Sequence, residues 1–227
     1  MWIFPLAAAG IALVFAALLG AQFVSRRRPF QLLWAVAMLM YAAAAAAVFL
    51  GVLDGWSVAE FRVYWLFGAV LNVPFLAAGE AHLLVHNRVA LRIVDVALAV
   101  ATVVAIALVF SAEISQSALA GHLPAGKTVW AAQPSMRVLA SAYSYVAYLY
   151  LVAGTIWSAM KMRKQPGTRD RFQGTLGIAI GATIVAAGAA FAVKGMAEGF
   201  ALTLSVGIAV MFWGFLRASR PVKTDEA

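Results

Sequence analysis

The chain is 227 residues long, the size of one domain, and carries a net charge of +8. With 64% hydrophobic residues, 11% charged residues and a mean hydropathy of +0.91, it excludes a water-soluble globule, which is roughly half apolar and about a quarter charged. The lack of cysteine excludes disulfides, thiolate zinc sites, iron–sulfur clusters and cysteine nucleophiles.

Seven apolar stretches follow in chain order, at 3–24, 32–52, 61–84, 94–110, 138–160, 172–193 and 200–216. Hydrocarbon holds no water to satisfy backbone polar groups, so each stretch reads as a spanning helix. The first begins Met1-Trp2-Ile3-Phe4-Pro5, without the cationic n-region of a signal peptide, and ends in Arg26-Arg27-Arg28. It is expected to stay as a span. In the second, the alanines from Ala42 to Ala47 make a smooth surface.

The third stretch holds Asn72-Val73-Pro74 near its middle, between Gly68 and Gly79. Pro74 has no N–H and displaces the carbonyl of Val70, so a kink is expected there. Asn72 brings an amide into hydrocarbon. It would either line a solute pathway or tie two helices together. Glu80-Ala81-His82-Leu83-Leu84-Val85-His86 follows, with His82 and His86 four apart on one helix face. A divalent metal is conceivable at His82 and His86, but the preferred reading assigns no metal. Glu80 and Asp95 are instead expected to pair with Arg88 or Arg92 in a polar network at the cytoplasmic edge, leaving both imidazoles wet.

The fourth stretch is short and borderline in length for a span. After it, the segment 111–137 contains Gly121, Pro124, Gly126 and Pro134 and reads as a long outer loop, with Val129-Trp130-Ala131 on the membrane surface. The fifth carries Tyr143, Tyr145, Tyr148 and Tyr150. Tyr145 and Tyr148, with Thr183 of the sixth, are candidates for a ligand surface or pathway beside Asn72 and Pro74. Gly177 and Gly181 form a small-xxx-small pattern that lets helices approach closely. Phe30-Gln31 and Phe172-Gln173 open the second and sixth stretches alike, yet the offset between them does not align the rest as a repeat. The seventh stretch contains no lysine, so no Schiff base is available there.

Thirteen of the seventeen Lys and Arg residues lie in alternate gaps and the C-terminal segment; Arg62, Lys127, Arg137 and Lys194 lie on the other side. The positive-inside rule then sets the N-terminus outside and the C-terminus in the cytoplasm. Trp2, Trp56, Trp65 and Trp130 fall near outer ends, and Trp34, Trp157 and Trp213 near inner ends, as an interfacial aromatic belt would place them. The expected fold is therefore an all-α integral membrane protein, a seven-helix bundle over 1–220 with a short cytoplasmic tail at 221–227.

All nine acids sit at or near expected interfaces, which disfavours ion-coupled transport and hydrolytic chemistry. The expected function is a non-enzymatic accessory or binding component. It would pack with membrane partners, or with a second copy, or hold a lipid-like apolar ligand. A facilitator or channel for a small neutral solute is the alternative, and a receptor-like sensor a further one. No cofactor and no nucleic acid are expected. The basic clusters abut apolar runs, so their partner is a bilayer with anionic head groups. The heavy use of Ala, Val, Gly and Arg fits a high-GC bacterial plasma-membrane protein.

Overall fold

The computed structural model describes residues 2–121, 123–163 and 168–219. His122, Lys164, Arg220, Lys223 and the 221–227 tail lie outside the described residues. Among those described the chain is helical, with no strand. Seven helices are long and apolar enough to cross a membrane, the pattern of a multi-pass membrane protein. They are α1 (Ile3–Arg26), α2 (Pro29–Asp54), α3 (Val58–Leu84), α4 (Arg88–Ser111), α5 (Ser135–Arg163), α6 (Arg169–Val193) and α7 (Ala197–Ala218).

Every helix except α3 runs past its apolar stretch at its basic end, because backbone hydrogen bonding continues beyond the hydrocarbon. The difference is largest for α4, which is no short span. It starts at Arg88, where the Asn87 carboxamide caps the N-terminus by accepting from Val89 N at 2.9 Å and Ala90 N at 3.3 Å. Arg92 thus lies on the helix with Asp95, not in the gap before it.

Helices α1, α2, α3, α5, α6 and α7 pack side by side in that order, and α7 returns to α1 to close a ring. Helix α4 stands outside it, touching α3 and, lightly, α5. Small residues are buried where helices of the ring pack closely, and many large apolar ones face outward. Ala8, Ala12, Ala37 and Ala45 are almost wholly buried, whereas Val138, Val146 and Leu149 on α5 are about two-thirds exposed. This inverts a water-soluble bundle and suits a lipid solvent, where close backbone approach takes the place of hydrophobic driving force.

The most extensive interface joins α6 to α7. A Cβ at Gly174 would strike the Ala218 nitrogen and the Gly214 carbonyl, and one at Gly181 would meet Met211 and the Gly207 carbonyl. Gly177 lies against Trp213 and Gly214. The small-xxx-small pattern therefore faces α7 of the same chain.

Helix α3 takes an unforeseen form. Tyr64–Leu71 is wound as a π-helix between the α-helical segments Val58–Val63 and Asn72–Leu84. The wide turn, with Asn72 N bonded to Phe67 O, directly precedes Pro74 and gives its ring room.

Two expectations about tryptophan do not hold. Trp34, Trp56, Trp65 and Trp130 are buried, and only Trp2, Trp157 and Trp213 are about half exposed, as a belt requires. Glycines make the beds: Gly79 faces Trp34, Gly51 faces Trp56 and Gly126 faces Trp65. Nor does Val129-Trp130-Ala131 lie on a membrane surface. The loop, with its 3-10 turn Gln116–Leu119 and helical turn Gly126–Val129, folds onto the bundle end and packs Trp130 against the stacked rings of Phe61 and Trp65. The ring cluster continues through Trp56 and Tyr64 to Phe200.

Replacing Gly181 with Val should separate α6 from α7 and lower stability by roughly 1–3 kcal/mol, the usual cost of overpacking. Gly10→Ala, where nothing lies within 4 Å of an added Cβ, should stay within about 0.5 kcal/mol of wild type. Thermal unfolding of both variants in detergent checks the contrast.

Candidate functional site

The ring interior is filled. Phe15, Leu19, Trp34, Met38, Leu76, Leu151, Ile178 and Met211 converge from all six ring helices on a central void of about 10 Å³ with an entirely apolar lining. A void of that size barely admits one water, which would also need polar partners.

Several polar groups of the spanning helices link one helix to another, while Thr102, Thr155 and Thr203 donate to carbonyls of their own helix. Asn72 is buried and donates from Nδ2 to Ala37 O on α2 at 2.6 Å, and Trp34 Nε1 returns the link by donating to Leu76 O at 3.0 Å. Tyr41 OH donates to Leu204 O at 2.8 Å, joining α2 to α7. From α5, Ser144 Oγ donates to Ala69 O at 2.6 Å in the π-helical segment, and Tyr143 OH donates to Ala101 O of α4 at 3.3 Å. Each places a donor on a neighbouring helix's carbonyl, which the chain spacing alone could not pair.

The pathway candidates consequently do not share a surface. Asn72 lies in the α2–α3 seam and half-buried Pro74 two residues on. Tyr145 points outward and is 69% exposed. Tyr148 OH donates to Thr183 Oγ1 at 3.1 Å, joining α5 to α6 on the outer side. Of the five, only Tyr148 and Thr183 are brought together.

The polar edge is divided, in contrast to the expected single network. Asp95 meets His82 Nε2 at 2.8 Å, not Arg88 or Arg92, and ties α4 to α3. Glu80 points the other way, buried against α5, where it lies against Gly154 and near Thr155, whose Oγ1 donates to Leu151 O at 2.6 Å. His82 is mostly covered and His86 is exposed, so only one of the two imidazoles is wet. Successive residues of a helix point about 100° apart, which sends Glu80 and His82 to different neighbours. The two histidines do not join a cluster: among the described residues, no three His, Asp or Glu side chains gather as metal ligands would. A second polar link at this rim joins Arg217 Nε to Asp170 Oδ1 at 3.1 Å, between α7 and α6.

A large concavity lies outside the ring, along α4 beside Tyr143 of α5. This open lateral groove of about 650 Å³ is lined by Val89, Ile93, Val96, Ala97, Val100, Ala101 and Val104 of α4, by Tyr143 of α5, and at one end by Arg92. The α4 residues repeat at three- and four-residue steps and form one face of the helix. That spacing could have been read in the sequence; that no other helix covers it could not. Neither Arg88 nor Arg92 makes an ion pair among the described residues.

No protein-family model, curated protein or solved structure matches the chain.

The contact between Glu80 and Thr155 should be measurable as energetic coupling. A double-mutant cycle of Glu80→Ala and Thr155→Val is expected to be non-additive by about 0.6 kcal/mol, and by no more than roughly 1.7 kcal/mol, the range for polar pairs between membrane helices. Additive losses in detergent unfolding would show that the two side chains act separately.

Proposed function

We propose that the chain is a non-enzymatic plasma-membrane protein that works as an accessory or binding component, holding a lipid-like apolar ligand on its lateral face. One contrast carries this reading. The centre of the ring is filled and apolar, while the groove between α4 and α5 opens sideways on the apolar flank of the bundle. A ligand that reaches such a groove arrives through the membrane, and its contacting part is a hydrocarbon chain. Tyr143 at the wall adds an aromatic ring for it to lie against.

A facilitator for small neutral solutes finds less support. It needs a polar route past Asn72, whose amide is engaged by the Ala37 carbonyl, and the central void offers no polar lining.

The orientation follows from the charges. Arg26, Arg88, Arg92, Lys161, Arg163 and Arg217 belong to the rim that the positive-inside rule assigns to the cytoplasm, so the N-terminus is outside. Anionic head groups are the bilayer partner of that rim.

Because there is no native cysteine, single-cysteine variants report orientation cleanly. Lys127→Cys should react with an impermeant maleimide on intact cells and Arg163→Cys only after permeabilisation; the opposite labelling would reverse the topology. The binding role is checked by extracting the protein from its native membrane, washing it in mild detergent and identifying what remains by mass spectrometry. A retained lipid-like molecule at a fixed ratio to protein is expected; lipid-free protein would sink the reading.

A further inference from the structure

We infer that the α4–α5 groove is a site for an anionic glycerophospholipid, with one acyl chain along Val89–Val104 and the head group at Arg92 and Arg88. The inference rests on the lipid-binding reading above and names the lipid's charge, its register and the residues that choose it.

Three observations set the register. From Val89 to Val104 the lined face spans about 22 Å at the α-helical rise, comfortably more than half of a hydrocarbon core of about 30 Å. It therefore follows one chain from the head-group layer past the bilayer midplane. The face is polar at one end only: Arg92 lines the groove, and Arg88 lies one turn nearer the helix start on the same side. Every other α4 residue of the lining is Val, Ile or Ala.

The charge at that end is available. Asp95, the acid nearest Arg92 along α4, is held by His82 at 2.8 Å. Glu80 is buried on the α5 side of α3 with Thr155. The acids that could have neutralised the two arginines are thus drawn to α3 or turned away, and both guanidiniums are exposed at the rim. Arginine's fork of N–H donors fits phosphate oxygens. A zwitterionic lipid offers the same phosphate with a compensating cation beside it, so two arginines that make no ion pair with Asp95 or Glu80 favour net negative head groups.

The occupant is a lipid and not a second copy, because the face ends in unpaired arginines. An isologous contact through the same face places like charges at the interface unless the copies run antiparallel, which membrane topology forbids.

The test uses the full chain in nanodiscs of mixed phosphatidylcholine and phosphatidylglycerol, followed by detergent release and native mass spectrometry. The wild type should retain one lipid, preferentially phosphatidylglycerol. Arg92→Gln and Arg88→Gln should each cut that preference about fivefold, as expected for ~1 kcal/mol per juxtamembrane cation. Arg26→Gln, on the same rim but on α1, should leave it unchanged. Val100→Trp, which fills the groove, should reduce retention of both lipids. If the wild type holds both lipids equally and the arginine variants match it, the head-group inference is overturned while the groove reading stands. Retention of neither lipid overturns both. A dimer that Val100→Trp converts to monomer would give the face to a second copy and overturn the lipid site.

Discussion

Between helices already dissolved in hydrocarbon, apolar contact supplies almost no driving force, since lipid tails are as apolar as leucine. What remains is how closely two backbones can approach and whether a polar group finds a partner on arrival. Almost every feature of this bundle follows. Helix α6 offers Gly174, Gly177 and Gly181 to Gly207 and Gly214 of α7, and that pair packs most intimately. Helices α1 and α2 pack closely and bury alanines such as Ala12, Ala37 and Ala45. Helix α4 has no glycine and is dominated by β-branched side chains; only Ala105 and Val109 are buried. It stays at the margin.

The same constraint assigns the amides and hydroxyls. An unpaired polar atom in hydrocarbon is costly, so Asn72, Trp34, Tyr41 and Ser144 each reach a carbonyl on another helix. These links tie α2, α3, α5 and α7 around an apolar centre. Groups committed in this way are not free to line a passage, which moves attention from the axis of the bundle to its flank. The flank is open because α4 is held mainly at its ends, by His82 and Asp95 near one rim and by the Ala112 carbonyl accepting from Arg62 Nη2 near the other. Between them the α4 face stands clear of α5 except at Tyr143.

The seven spans were legible because the bilayer imposes length and apolarity on each segment separately. Gly177 and Gly181 were recognisable as packing residues, though not which helix they face. The polar edge was half legible. Glu80, His82, His86, Arg88, Arg92 and Asp95 lie close together along the chain where α3 ends and α4 begins, but expecting acid to meet arginine ignored direction. Helical geometry turns His82 toward Asp95 and Glu80 toward Thr155. Trp130 was misplaced for a related reason: interfacial preference is a property of an isolated indole, whereas Phe61 and Trp65 present a ring-lined bed that only the folded loop can reach.

By itself, then, the sequence determined a multi-pass helical chain, its span count and the sides on which its charges gather, because those depend on solvent and local composition. Only the tertiary structure decided that six helices close around a filled centre, that α3 widens into a π-helix before Pro74, and that the concave surface lies beside α4. Those outcomes depend on which helix faces meet, and in lipid that is settled by close approach and hydrogen-bond pairing between residues far apart in the chain.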